Sequence, residues 1–416
     1  MNLQLDELSI NSDMRKSVIS FLLVCFICTA SYGQDAFKYH RSSLYSILLK
    51  HENKPYAKEI ETAFKAIPTP EKFYEHNLSH QVFKAAVLQD DDSDVDGQKQ
   101  YIDELMVKNA IGRRLVSKWY NRSKQGTFNC DLLISRGYYD ASAFDIALAD
   151  RTIVGRSNVL RDAGRELISN TYVVVHDIQY YDRRKTGKKL SNLVTGIGST
   201  VAGLTIVGIP AMTAATRATE SIAGFKVCVT SYLYRLDWND EAEGLFYKTY
   251  YTTTEDLTRK DLFNKDKSNF KLTYVGKQKV YSGITTMRGV NRQGEFFIKV
   301  CTRAMDEAIA KLQKDHVEFR VRTPLISTEP LIASIGVKEG MTTNSRYEVL
   351  EVSEEDGMTK YKRVGVIKPI KGKIWDNRYL AEAEEDNASS LLKHTEFETI
   401  SGSGFYPGML IREIYK

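Results

Sequence analysis

The sequence predicts an α+β fold, in which a sheet-and-helix domain is followed by a small C-terminal all-β barrel. Residues 98–122 and 298–316 carry apolar residues three and four positions apart, which is typical of helices. Residues 171–181 and 225–238 are rich in β-branched and aromatic residues, which favour strands. Beyond Pro330 the apolar runs become short and alternating with glycines between them, as in small barrels.

Residues 1–33 are predicted to be a secretory signal peptide. Within this segment, translation is expected to start at Met14. Two basic residues follow Met14, an apolar stretch comes next, and small residues lead up to Gly33. This order is typical of an exported protein. We therefore expect cleavage before Gln34 and a periplasmic location for the mature chain.

Charge and cysteine content exclude some classes of protein. The formal net charge is +5, and the 27% of charged residues are nearly balanced in sign, so nucleic acid is not an expected partner. Two of the five cysteines lie in the signal peptide, and the other three are scattered, so no disulfide framework is predicted. No cofactor is predicted, apart from the calcium candidate described next.

Residues 34–97 are predicted to form an N-terminal helical segment that is broken at prolines and ends in an acidic linker. The run from residue 92 to Gly97 fits the opening of an EF-hand loop, because oxygen ligands alternate and a glycine turns the chain. A solvated linker is the alternative interpretation. The candidate calcium ligands are Asp92, Asp94, Asp96 and Asp103.

Residues 98–325 are predicted to form the αβ domain, with an insertion at residues 183–224. The expected elements are helices at 98–122, 159–168 and 298–316 and strands at 128–134, 171–181, 225–238 and 245–253. His176 and Asp177 lie within one strand, so their side chains must point to opposite faces, and a structural role is expected for the histidine.

The insertion is the most unusual part of this domain, because residues 190–216 contain no charged residue or histidine. Its larger apolar residues have helical spacing, whereas its glycines each cost about 1 kcal/mol in an exposed helix. Basic residues precede it, so lipid head groups or a partner protein would both suit it. The predicted contact residues are Arg183, Arg184, Lys185, Lys188, Lys189, Leu193, Ile197, Val201, Leu204 and Val207.

Residues 326–416 are predicted to be the barrel domain, with short strands at 346–352, 360–366 and 397–400. The glycines between these runs, including Gly340 and Gly372, suit tight connections.

Three stretches of the αβ domain, residues 160–175, 226–237 and 246–251, resemble the αβ domain of curli-secretion-channel lipoproteins. The N-terminal domain of the Tol-system propeller protein is similar to it. The tail, with Ile335-Gly336-Val337 and Pro407-Gly408-Met409, is similar to the C-terminal barrel of a flagellar assembly protein. The resemblance implies an envelope role, and a membrane-crossing hairpin where the insertion stands. The insertion lacks the polar–apolar alternation of a barrel hairpin, so a β-barrel pore is not expected.

No set of acid, base and nucleophile is visible, so an enzyme is not predicted. The leading hypothesis is a non-enzymatic cell-envelope protein with an assembly, scaffolding or secretion-associated role. The insertion would contact other copies, envelope partners or the outer membrane. The alternative is a soluble periplasmic binding module, in which paired tyrosines such as Tyr180-Tyr181 and Tyr250-Tyr251 take a glycan or peptide.

Overall fold

The structure is a computed structural model that describes residues 42–67, 73–74, 81–85, 95–134, 167–180, 225–284, 293–320, 322–355, 358–382 and 388–415. Helices and strands are both present, and the strands form two groups, so the α+β class is confirmed. The strands are β1 (Ser42–Lys50), β2 (Phe73–Tyr74), β3 (Gln81–Lys84), β4 (Thr171–Tyr180), β5 (Phe225–Leu236), β6 (Leu272–Ile284), β7 (Thr323–Thr328), β8 (Leu331–Ala333), β9 (Tyr347–Glu355), β10 (Met358–Pro369), β11 (Thr395–Gly402) and β12 (Leu410–Glu413). The α-helices are α1 (Ala57–Ala66), α2 (Val95–Lys108), α3 (Ile111–Trp119), α4 (Asp240–Leu245), α5 (Leu257–Lys265) and α6 (Gln293–Asp315); a π-helix spans Phe246–Tyr250, and 3-10 turns span Val317–Phe319, Val337–Glu339 and Ala388–Leu391.

The first sheet has six strands in the order β2-β1-β4-β5-β6, and β3 pairs with β1 on the same edge as β2. β1 runs parallel to β4, whereas the β4–β5 and β5–β6 pairs are antiparallel. The strands predicted at 171–181 and 225–238 are thereby confirmed as β4 and β5. β6 is not among the predicted strands, because glycine, lysine and glutamine interrupt the apolar pattern in its middle.

The prediction that residues 34–97 form a helical segment is confirmed at α1 but wrong at β1, which is a strand. This strand lies inside the sheet, and Ile47 and Leu48 are buried in apolar clusters on its opposite faces. A strand that is covered on both faces has no polar–apolar alternation, so its apolar run cannot be distinguished from a helix by periodicity. The sheet-and-helix domain therefore starts before residue 98.

Helices cover both faces of the first sheet. α1 and α6 cover one face, where Val229 and Val300 are buried in the same cluster. α2 and α3 cover the other face, where Val173 packs with Leu115. The predicted closing helix is confirmed as α6, and each large apolar side chain that it buries contributes about 1.5–3 kcal/mol relative to exposure. Because both faces are covered, the strand ends and the seams between elements are left for binding.

The segment after β5 is helical, so the predicted strand at 245–253 is wrong. Asn239 caps α4 by accepting a hydrogen bond from the Ala242 N–H through its side chain, at 2.9 Å. Phe246 is fully buried, and its ring contacts those of Tyr120 and Phe128 at centroid distances of 4.4 and 5.1 Å. Aromatic residues favour strands, but here they fill a core on the α2–α3 face.

Two further predictions in this domain need correction. The single helix expected at 98–122 is divided into α2 and α3 at Ala110, whose φ is +50°. The strand expected at 128–134 is absent, because residues 128–130 are irregular and residues 131–134 are helical. The Phe128 N–H instead donates to the Thr252 carbonyl at 2.8 Å, which ties this segment to the aromatic core.

The second group of strands pairs in a closed, barrel-like order, β10-β11-β8-β7-β12-β9. The strands predicted at 346–352, 360–366 and 397–400 correspond to β9, β10 and β11. Leu325, Val349 and other apolar side chains fill the interior. Because β7 begins at Thr323, the boundary between the two parts lies before this strand rather than at residue 326.

Candidate functional site

The insertion predicted to make contacts starts and ends at one point of the first sheet. β4 and β5 are hydrogen-bonded antiparallel neighbours, and Tyr180 of β4 is paired in register with Val227 of β5. Residues 181–224 connect these two strand ends, and all ten predicted contact residues lie in that segment, outside the described part of the chain. What the structure provides is the position of both attachment points.

An aromatic cluster stands at this end of the sheet. The Tyr56 ring meets the Tyr180 ring edge-on at a centroid distance of 4.8 Å and lies 5.6 Å from the Phe297 ring. Tyr56 is 41% exposed and has a left-handed backbone with φ of 61°. The base of the insertion therefore has aromatic surface that solvent can reach, at the start of both α1 and α6.

A histidine–carboxylate pair lies near the same strand ends. His51 Nε2 is 2.6 Å from Asp177 Oδ1, and Gln179 donates to the same oxygen at 3.0 Å. Within the described residues the side-chain hydrogen bonds of the pair end at Gln179, and no serine or cysteine joins it. The pair anchors the chain after β1 to β4.

His176, the neighbour of Asp177, points to the other face of the sheet. It is completely buried, its Nδ1 lies 2.8 Å from Ser231 Oγ, and its ring is 6.3 Å from that of Phe64. Burial lowers the pKa of His176 to about 3, because the charged imidazole would lose its hydration. The structure thus agrees with the expected structural role and the opposite orientation of these two residues.

A groove with a volume of about 1220 Å³ lies between α6 and the closed sheet. Its lining comes from α6, the end of β6, the turn Val337–Glu339, the chain before β9, one side of β10 and the C-terminal segment. Eight of its lining residues are Lys or Arg, and four are Asp or Glu. The groove is therefore a concave surface with an excess of positive charge.

Several groove cations already have partners. Lys311 pairs with Glu307 at 2.9 Å along α6, and Lys368 pairs with Glu398 at 2.8 Å across two strands. The Arg303 guanidinium donates to the Tyr379 carbonyl at 2.9 and 3.1 Å, which ties α6 to the closed sheet. These contacts are structural.

Three groove cations are different. In the part of the chain that the structure describes, the side chains of Lys338, Arg346 and Arg363 have no hydrogen bond or ion pair. Arg346 and Arg363 are exposed and Lys338 is half-buried. These three cations are available to an anionic ligand.

Residues 413–415 form the C-terminal wall of the groove, and side-chain contacts hold them in place. The Tyr415 hydroxyl donates to Glu413 Oε2 at 2.6 Å, and the Arg320 guanidinium lies 4.5 Å from the centre of the Tyr415 ring. Burial raises the pKa of the Glu413 carboxyl, although hydrogen bonds from Ser345 and Tyr415 oppose the shift. The wall is therefore a packed surface of the closed sheet.

The structure of residues 95–103 does not support the calcium prediction. Asp92 and Asp94 lie outside the described residues, and the side chain of Asp96 is not described. α2 begins at Val95, so residues 96–103 are helical rather than looped around an ion as an EF-hand requires. Asp103 Oδ2 accepts a hydrogen bond from Lys99 Nζ at 2.7 Å. Within the described ranges, no group of three or more His, Cys, Asp or Glu side chains is placed to hold a metal.

The tyrosine pair Tyr250-Tyr251 does not form an open platform for a glycan. Tyr250 is only 4% exposed, and its ring packs against Phe263 at 5.4 Å. Tyr251 is stacked on Phe128 at 6.1 Å. Both rings belong to the aromatic core. Tyr181 lies outside the described residues, so the other pair stays a prediction.

Comparison with known protein families and with curated proteins finds no match for this chain. The resemblance to curli-channel and flagellar domains therefore stays a prediction. No helix in the described ranges combines the length and apolar composition needed to cross a bilayer.

The groove itself is not predicted from the sequence. Lys338, Arg346 and Arg363 occur in three separate polar stretches, each of which is ordinary by itself. Strand pairing around the closed sheet, together with the packing of α6, brings them to one surface. The only sequence signal is the accumulation of Lys and Arg on one side of α6, at Arg303, Lys311 and Lys314.

Proposed function

We propose that this chain is a non-enzymatic cell-envelope protein that acts by assembly. In this proposal residues 183–224 form a contact arm that joins the protein to a membrane or to neighbouring copies. The observation that carries the proposal is the pairing of Tyr180 with Val227, because the segment that contains the uncharged run 190–216 is attached at both ends to one point of a covered sheet. An uncharged segment of this length would otherwise be buried in its own domain.

Two further observations support the arm. Five basic residues, between Arg183 and Lys189, lie at its start, and each could contribute about 1 kcal/mol near anionic lipid. The exposed ring of Tyr56 at its base also suits an interfacial position, since tyrosine combines an apolar body with a polar tip. The predicted signal peptide would deliver the protein to the periplasm.

The register of β4 and β5 allows a clean deletion. Because Tyr180 and Val227 face each other, residues 183–224 can be replaced by an Asn-Gly turn that closes a two-stranded hairpin. We expect the intact protein to enter the membrane fraction or to form oligomers in detergent, and the shortened protein to be a soluble monomer. An unchanged melting temperature would show that the sheet still folds.

A charge variant distinguishes the two possible targets of the arm, a membrane and neighbouring copies. Replacing Arg183, Arg184, Lys185, Lys188 and Lys189 by Gln should release the protein from anionic vesicles if lipid is the target. The same variant should keep its oligomeric state if other copies are the target. If intact and shortened proteins are both soluble monomers that ignore vesicles, the assembly proposal is wrong.

The groove favours a second candidate function, a soluble periplasmic binding module. Open cavities between two packed parts of a protein are common ligand sites. In that case residues 183–224 would be dispensable for binding, and the shortened protein would keep its ligand.

A further inference from the structure

The three unpartnered cations of the groove give it a chemical preference. Lys338, Arg346 and Arg363 line one concave surface, and no carboxylate among the described residues pairs with them. A concave surface with charge of one sign concentrates oppositely charged ligands. Arginine in particular presents a planar fork of donors that matches a carboxylate or a phosphate.

The arrangement suits an extended ligand better than a single ion. Lys338 lies on the turn Val337–Glu339, Arg346 directly precedes β9, and Arg363 lies within β10, so they come from three separate elements. The groove volume of about 1220 Å³ exceeds the roughly 300–1,000 Å³ of ordinary small-molecule pockets. A ligand that fills a groove of this size and pairs with all three cations carries several negative charges.

The acidic residues of the lining restrict the ligand further. Glu307, Glu339 and Glu413 lie among the basic residues of the groove. A polymer with a negative charge on every unit would meet these carboxylates, and like charges placed together oppose binding. A peptide can place acidic side chains opposite the arginines and neutral or basic side chains opposite the glutamates.

We propose that the groove binds an acidic peptide segment, with Lys338, Arg346 and Arg363 as its main contacts. This chain contains a segment of suitable chemistry, since residues 90–96 include five aspartates. The occupant is this segment of a second copy of the chain, whose carboxylates complement the excess of positive charge in the groove. The proposal does not depend on what residues 183–224 contact.

The test uses the full mature chain and a fluorescent peptide with the sequence of residues 89–98. We expect saturable binding by anisotropy, and weaker binding as salt increases, because the contacts are solvent-exposed charges. A peptide with Asn in place of each Asp should not bind. The double variant Arg346→Gln, Arg363→Gln should bind the acidic peptide at least about tenfold more weakly.

A matched control removes the same charge elsewhere on the closed sheet. Lys362 and Lys371 are exposed and do not line the groove, so the double variant Lys362→Gln, Lys371→Gln should bind like the original. Equal melting temperatures of both double variants would exclude misfolding. If both double variants lose affinity equally, or if the acidic peptide does not bind, the proposal is wrong.

Two further experiments test the occupant and the chemical class of the ligand. If replacing the aspartates of residues 90–96 by Asn abolishes self-association in the same way as the groove variant, the segment of a second copy is the ligand. If the peptide binds but neither change alters self-association, a second copy is not the occupant and the proposal is wrong. A single-stranded DNA probe that binds the groove while the peptide does not compete would overturn the proposal. The chain without residues 183–224 should still bind the peptide. This measurement therefore distinguishes a failure of the groove proposal from a failure of the assembly proposal.

Discussion

The buried His176 makes the stability of the first sheet depend on pH. Its side chain is fully enclosed between β4, β5 and α1, with Nδ1 held by Ser231 Oγ at 2.8 Å. Burial lowers its pKa from 6.5 to about 3, so the folded protein keeps it neutral while the unfolded chain protonates it below pH 6.5. The unfolded state then binds more protons, and stability must fall as the pH falls.

The size of this effect follows from the shift. Each unit between the folded and unfolded pKa is worth about 1.4 kcal/mol, and the loss develops as the pH falls from 6.5 towards 3. At pH 5 the folded imidazole is still neutral, whereas nearly all unfolded chains are protonated. We therefore expect His176 to lower the free energy of unfolding by about 2 kcal/mol between pH 8 and pH 5.

Urea unfolding at pH 8 and pH 5 measures this contribution. The comparison protein carries His176→Leu together with Ser231→Ala, so that no hydroxyl is left without its partner in the core. The two proteins share every other ionisable group, so the difference between the two pH dependences isolates His176. Equal losses of stability in the two proteins would refute the argument that burial keeps this imidazole neutral.

Two other predictions concern packing. A Cβ added at Gly276 would lie 2.1 Å from His316 Nε2, so Gly276→Ala should lower the free energy of unfolding by about 1–3 kcal/mol. Gly244→Ala, which meets no atom within 4 Å, should be neutral or slightly stabilising in the same denaturant titration, and similar losses at both sites would contradict the packing. Burial raises the pKa of the Cys301 thiol to about 12, so mass spectrometry should find it unlabelled by N-ethylmaleimide in the native protein. The half-buried Cys130 and Cys228 should react before it, and rapid labelling of Cys301 at neutral pH would be inconsistent with its enclosure.

The strands that sequence patterns predict well are those with a β-branched run and a clear end. β4 and β5 both meet that condition. The helix α6 is predicted equally well, because its apolar face is regular. β1 does not, because its two faces are both covered and its apolar residues lose the alternation that identifies a strand. Its partner strands, which would have revealed it, are distant in sequence.

The error after β5 has a different cause. Phe246, Tyr247, Tyr250 and Tyr251 favour strands by residue type, but their spacing of one, three and one positions places them on one side of a helix. Asn239, which caps α4, is also a signal for a helix start. Spacing and capping therefore outweigh residue type at this segment.

The candidate groove depends on tertiary structure alone. Arg346 and Arg363 are brought to the same surface by the pairing of β9 with β10, and Lys338 by the turn that packs on α6. No local pattern specifies which charged residues of a barrel meet across a seam. Only the closed order of the strands does.

The attachment of residues 181–224 to adjacent strand ends also determines how the sheet would respond to tension. A pull on this segment acts on β4 and β5 together and from the same end, along the strand direction. Displacing the pair requires the seven register pairs with β1 and the twelve with β6 to slide simultaneously, because the load runs parallel to the strands. Tension on residues 181–224 would therefore be opposed by shear of both ladders at once rather than by the separation of one register pair after another.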